Sequence, residues 1–220
     1  MKDSFLKILQ SEGKKAYFNN IIEGLRNYST FEIVPHQVDL FRAFEFFQVH
    51  ETKIVLLGQD PYPTEGVADG LAFSTRSKKT PVSLKNIFKE LTLEFSNIKL
   101  KSNDLTPWAK QGVLLLNVHL STVINKPLEH KDIGWENFTQ VVCEEIIKQN
   151  ENVIFIALGK YAQEFVEKLS PSPKYVIKSS HPSRFSANKG FLGSFIFTQA
   201  NKILKDNGFE EINWELKEVN

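Results

Sequence analysis

Apolar residues fall into two rhythms along this chain. Four short apolar runs, at 53–57, 113–117, 153–158 and 174–178, have the length and β-branched content of buried strands. Between and after them the spacing turns helical, over 83–91, 135–148, 161–169 and roughly 195–207, with Gly208 placed to stop the last helix. Residues 1–30 carry Phe5, Leu6, Ile8 and Leu9, then Ile21, Ile22 and Leu25, and read as an amphipathic helical segment. No repeat, low-complexity stretch or Gly/Ser linker interrupts the pattern. Strands alternating with helices predict one α/β domain over residues 1–220, built on a central four-stranded, mostly parallel sheet flanked by helices on both faces.

In open sheets of this kind ligands bind beyond the carboxyl ends of the strands. The first run ends in Gly58-Gln59-Asp60-Pro61-Tyr62-Pro63. Pro61 and Pro63 fix their own φ and hold Asp60 and Tyr62 extended, so the turn is stiff. The second run ends in Asn117, the third in Gly159-Lys160, and the fourth leads into His181-Pro182-Ser183-Arg184-Phe185-Ser186. Taken singly, each is more often an ordinary strand-ending turn or a cap. A carboxylate, an amide and an imidazole on one rim point instead to an active site.

Composition narrows the chemistry. Hydrophobic content of 41% and charged content of 24% are ordinary for a folded domain. A net charge of +1 gives no global signal for nucleic acid, although a local basic patch suffices to track a phosphate backbone. One cysteine, Cys143, excludes a disulfide framework and a Cys-rich zinc site, and its helical context reads as a small buried hydrophobe. The five histidines form no i,i+4 pair, so a zinc site is not expected; no cofactor is expected either. The N-terminus has no signal-peptide core and no stretch is long enough to span a bilayer, so no membrane contact and a cytoplasmic location are expected. No Gly-x-Ser-x-Gly elbow, Walker loop or Gly-x-Gly-x-x-Gly fingerprint is present. What remains is a carboxylate to orient water or stabilise a cation, an amide to read donors and acceptors, a histidine to meet developing negative charge, and the rings of Tyr62 and Phe73. That set suits cleavage of a glycosidic bond to a planar polar base.

Small polar residues beside prolines form a second pattern, in Thr80-Pro81-Val82-Ser83 and in the loop from His181 to Ser186. Hydroxyls and N–H groups so placed are phosphate ligands, and Ser83 also reads as a helix N-cap. Arg184-Phe185 fits a side chain wedged into a base stack, or equally the edge of the core.

Together these motifs resemble family-1 uracil-DNA glycosylase. The matching stretches are Gly58-Gln59-Asp60-Pro61-Tyr62, Gly70-Leu71-Ala72-Phe73-Ser74, Ser83-Leu84-Lys85-Asn86-Ile87, Trp108 through Asn117, His130 through Trp135, His181-Pro182-Ser183, Gly190 through Ser194 and Ile212-Asn213-Trp214. In order they run from about Phe31 to Trp214. The resemblance implies hydrolysis of the uracil N-glycosidic bond in DNA, on a nucleotide flipped out of the stack, as the first step of base excision repair. It gives Asp60 and His181 catalytic roles: Asp60 positions water and stabilises the cationic sugar, and a neutral His181 hydrogen-bonds uracil O2. It makes Gln59, Tyr62, Phe73 and Asn117 the uracil pocket, with Asn117 reading N3–H and O4, Tyr62 excluding the thymine methyl and Phe73 stacking on the base. Ser83, Ser183 and Ser186 become DNA-phosphate contacts, and Phe185 with Arg184 the wedge. It implies single- and double-stranded DNA containing uracil as partner, an acidic DNA-mimic protein as possible inhibitor, a monomer, and no metal.

Three positions depart from the family pattern. Pro63 stands where a histidine usually closes the first motif, Arg184-Phe185 where Pro-Leu is usual, and Val118-His119 where small or apolar residues follow the asparagine. Three rivals remain: a catalytically weak DNA-binding scaffold, a glycosylase with shifted base preference, and a nucleotide-binding module. Retention of Asp60 and His181 argues against the first, and Tyr62 with Asn117 against the second. The third is disfavoured by the missing Gly-rich phosphate loop.

Overall fold

The computed structural model describes residues 1–217. In chain order the elements are α1 (Asp3–Glu12), α2 (Ala16–Arg26), β1 (Ile33–Val34), β2 (Ile54–Gly58), α3 (Val82–Glu94), α4 (Thr106–Ala109), β3 (Val113–Asn117), β4 (Thr122–Val123), α5 (Trp135–Gln149), β5 (Ile154–Leu158), α6 (Lys160–Glu167), β6 (Tyr175–Ser179) and α7 (Ile196–Asp206). The four expected strands form one wholly parallel sheet in the order β3-β2-β5-β6. Every residue of β2, β3 and β5 is buried, which is why these strands read as unbroken apolar runs rather than alternating ones. The edge strand β6 is less covered, and its exposed Lys178 marks the open side.

The first strand in sequence lies inside the sheet. The chain leaves β2 toward β3, then reverses to add β5 and β6 on the other side. Right-handed crossovers running in opposite directions place their helices on opposite faces. Accordingly α1 and α2 pack on α5 in one layer, while α3 packs on α7 in the other. The reversal also opens a crevice at the carboxyl end of β2, the place where such sheets hold ligands.

The segment expected to be helical over 1–30 is two helices, because α1 stops at its cap Gly13 and the chain turns before α2. The last helix stops as expected: Gly208 follows its cap at φ +77°, a conformation open to glycine. A two-stranded antiparallel sheet of β1 and β4 was not expected, since two-residue strands carry no periodicity. Cys143 is fully buried, and burial pushes its thiol well above the ordinary range. No helix among the described residues is long and apolar enough to cross a membrane.

Candidate active site

Parallel pairing sets Gly58 of β2 directly beside Asn117 of β3. A Cβ on Gly58 would lie 2.2 Å from Asn117 Oδ1, so only glycine lets that amide cross the end of the sheet. Pairing continues past both strands: Val118 N–H donates to the Gly58 carbonyl at 3.0 Å and His119 N–H to the Gln59 carbonyl at 2.9 Å. Gln59, Asp60 and Asn117 therefore leave the sheet on a backbone with little freedom. Asp60 is further fixed from across the cleft, where its Oδ2 accepts the Leu128 N–H at 2.9 Å. Leu128 itself sits at φ +62°. Burial pushes the Asp60 carboxyl above its ordinary value, and the Leu128 amide draws it part of the way back.

The facing wall is a turn around a buried ion pair. The Arg42 guanidinium meets Asp69 at 2.8 Å and donates to the Asp69 carbonyl at 2.9 Å. The same carboxylate accepts from Leu71 N–H and from the Ser74 hydroxyl. Gly70, at φ +87°, clears the Asp39 carbonyl by having no Cβ. This framework holds Phe73 at φ +65°, a backbone state costing roughly 1–3 kcal/mol for such a residue. Tyr62 hydroxyl donates to the Phe73 carbonyl at 3.0 Å, so the 2.8 Å contact with Ser83 has the serine as donor. Ser83 is thus not the N-cap expected of it; α3 starts one residue earlier behind Pro81, and the hydroxyl serves Tyr62 instead.

The third wall is the loop after β6. His181 Nδ1 accepts the Ser183 N–H at 3.1 Å. An accepting Nδ1 carries no proton, so the neutral ring bears its hydrogen on Nε2. Burial lowers the His181 pKa, which keeps the ring neutral. Behind it Gly159, at φ +90°, leaves room that a Cβ would take from His181 Cβ at 2.9 Å. Asn86 of α3 donates to the Pro182 carbonyl at 2.8 Å and ties the loop down. Ser186 hydroxyl donates to the His181 carbonyl at 2.8 Å, and Ser183 hydroxyl to Ser186 at 2.7 Å. Beyond this network Phe185 stands 82% exposed, with Arg184 also in solvent, so the pair is not the edge of the core.

These walls enclose a pocket of about 180 Å³ lined by Gln59, Asp60, Tyr62, Phe73, Asn117 and His181, with Ser83 beside them. The Phe73 and His181 rings lie 5.9 Å apart in it. The slot thus presents a flat ring, an amide with both donor and acceptor, an imidazole N–H and a carboxylate with one oxygen that accepts no hydrogen bond among the described residues.

The family model for the uracil DNA glycosylase superfamily matches residues 44–205. This chain belongs to that superfamily. A curated relative, the uracil-DNA glycosylase of Mesomycoplasma hyopneumoniae, is 42% identical over 98% of this chain and 99% of its own. Among solved structures, mimivirus uracil-DNA glycosylase superposes with a TM-score of 0.90 at 27% identity, covering 98% of this chain and 87% of that one. A variant of the mimivirus enzyme in complex with UGI superposes at 0.88, at 26% identity, over 98% and 89% of the two chains.

The structure brings the residues named from sequence to one pocket, together with supports that the sequence did not name. The sequence reading missed the Leu128 amide on Asp60, the Arg42–Asp69 pair under Phe73, and Asn86 on the His181 loop. The first is a backbone group and leaves no mark in sequence. The others join residues 27 and 96 positions apart. His119, the third departure, lies under the site. Its Nε2 is 3.0 Å from the Tyr161 hydroxyl, which donates to Glu136 at 2.7 Å, so Nε2 carries the proton. Burial lowers its pKa to about 4 and keeps it neutral there.

Proposed function

We infer that this chain hydrolyses the N-glycosidic bond of uracil in DNA, releases free uracil and leaves an abasic site, the first step of base excision repair. The observation that carries the mechanism is the Ser183 N–H bond to His181 Nδ1, which leaves Nε2 as the donor of a ring lining the same small pocket as Asp60 and Asn117.

A uracil flipped out of the stack enters between Phe73 and the strand ends. The Asn117 amide accepts from N3–H through Oδ1 and donates to O4 through Nδ2. Cytosine offers the reverse pattern and would leave both groups unpaired, a mismatch that such sites reject by about 10⁴–10⁵. The Tyr62 ring, pinned through its hydroxyl, occupies the space a thymine methyl needs. Gln59 completes the base pocket. As the C–N bond breaks, the electron pair goes to the base, and negative charge grows on O2. The neutral His181 Nε2–H meets that charge where it develops, a preorganised contact worth about 10²–10³ in rate. The Asp60 carboxylate stabilises the cationic sugar, and its free oxygen orients the water that adds to the anomeric carbon. Pro63 supplies no side-chain proton carrier beside that water, so Asp60 alone handles it.

Ser83, Ser183 and Ser186 hold phosphates on either side of the flipped nucleotide. In the free protein the Ser183 proton is spent on Ser186, and a phosphate oxygen offers it a stronger, charged acceptor. Phe185, backed by Arg184, fills the gap in the stack. The same exposed loop is the grip for an acidic DNA-mimic inhibitor. The protein works as a monomer, in the cytoplasm, on single and double strands, without metal or cofactor.

The test is base release from matched oligonucleotides carrying one uracil, thymine, cytosine or hypoxanthine, as single strands and duplexes, in EDTA. Release from uracil alone is expected. Binding without release of any base would return the scaffold reading.

A further inference from the structure

A second cleft, of about 420 Å³, lies where the 75–80 loop meets the 100–104 segment. It begins a few residues before Ser83, so the loop that forms it leads directly out of the base pocket. Its lining includes Ser77, Thr80, Ser102 and Asn103, together with Lys78, Lys101 and Phe88. The cleft is built rather than incidental. Asn103 donates to the Ser77 carbonyl at 2.9 Å and accepts from the Thr80 hydroxyl at 2.9 Å. The carboxylate at its edge, Asp104, is taken up by Arg42 and the Thr106 hydroxyl.

Charge is concentrated here. Residues 76–101 hold seven cationic side chains and two acidic ones, in a chain whose net charge is only +1. Both acids are spent internally: Glu90 is buried and accepts from Gly193 and Phe195 N–H, while Glu94 accepts from Phe197 and Thr198 N–H. Arg76 pairs with Asp39, but Lys78, Lys79, Lys85, Lys89 and Lys101 make no ion pair among the described residues. Lys168, Lys178 and Lys202, outside this segment, are paired. Lys85 and Lys89, four residues apart on α3, continue the band about 6 Å further along the helix axis.

Unpaired lysines, hydroxyls and one aromatic ring along a groove are the ingredients that hold single-stranded nucleic acid without reading its sequence. We propose that this cleft carries the DNA strand flanking the flipped nucleotide, its phosphates on Lys78, Lys79 and Lys101 and a base against Phe88. The inference rests on the reading of the protein as a DNA enzyme and extends its footprint beyond the serine contacts.

The test is equilibrium binding of uracil-free single strands, short and long (about ten nucleotides on each side, the span of an ordinary single-strand groove), over a range of salt. Lys78→Gln/Lys79→Gln/Lys101→Gln should weaken binding increasingly with strand length. It should also make the plot of log affinity against log salt shallower by about 0.7 for each phosphate no longer neutralised, hence about 2 for the triple variant. The Lys→Arg triple variant should keep the parent slope, and so should Lys168→Gln/Lys178→Gln/Lys202→Gln. A parent-like slope for the first variant on long strands would overturn the proposal. Uracil release by the unsubstituted protein is measured in parallel; its absence would sink the catalytic reading alone and leave the salt slope to decide on the cleft.

Discussion

The floor of the pocket and the tip of the 181–186 loop, which the proposed function brings to the same nucleotide, have opposite construction. Asn117 and Asp60 sit at the ends of buried parallel strands, with Gly58 thinned to make room and backbone bonds continuing past the sheet. Phe185 stands in solvent on a loop whose own bonds stop at Ser183 and Ser186. In the proposed function the floor discriminates between bases by unpaired polar groups, and that works only if the amide cannot turn to suit cytosine. The tip has to follow a duplex whose stack is being opened, and a ring free in solvent costs nothing to move. On that proposal, rigidity is placed where the base is read and freedom where the helix is parted.

Breaking the floor should have the largest effect. Asp60→Asn removes the charge that stabilises the cationic sugar and the acceptor that orients water, while keeping size and the partner of Leu128. Turnover should fall by about 10²–10⁴ with affinity for uracil DNA retained. Single-turnover kinetics beside a binding titration separate the two. Near-parent turnover would remove Asp60 from the chemistry.

The pH profile sharpens the same comparison with a smaller effect. In the proposed mechanism Asp60 acts as the anion, and burial raises its pKa above the ordinary value. Activity should therefore be constant at neutral pH and fall tenfold per unit as pH drops below that raised pKa. Burial lowers the pKa of His181, so its ring is neutral already at neutral pH, and it contributes no limb there. His181→Gln should be slower throughout yet keep the acid limb. Loss of the limb in that variant would reassign it from Asp60 to the imidazole.

How much of this was legible in the sequence follows from the same division. Strands buried on both faces announce themselves as apolar runs, so their ends, and with them Gln59, Asp60 and Asn117, could be placed before any coordinates, and the shorter run of the edge strand β6 placed His181. Phe73 could be named but not explained, because its backbone state depends on an ion pair between Arg42 and Asp69 that no local pattern records. Ser83 looked like a helix cap from its neighbours; only the approach of Tyr62 shows what its hydroxyl meets. The Leu128 amide could not have been found, since any residue in that position has one. Side chains at strand ends are written in sequence, whereas the contacts that hold them are made by folding.

Phe185→Ala is the mildest test and addresses the tip alone. Because the ring is exposed and packs on nothing in the core, its removal should change stability by no more than about 0.5 kcal/mol. Duplex substrate presents a stack that must be opened at a cost of a few kcal/mol, of which one wedged ring can offset a part. On duplex uracil kcat/KM should drop by about tenfold, equivalent to about 1.4 kcal/mol of that cost. Single strands have no partner stack to part, and there the variant should stay within about twofold of the parent. An equal loss on both substrates would mean that Phe185 grips the strand rather than fills the gap. The tip would then belong with the floor, as part of what holds the nucleotide.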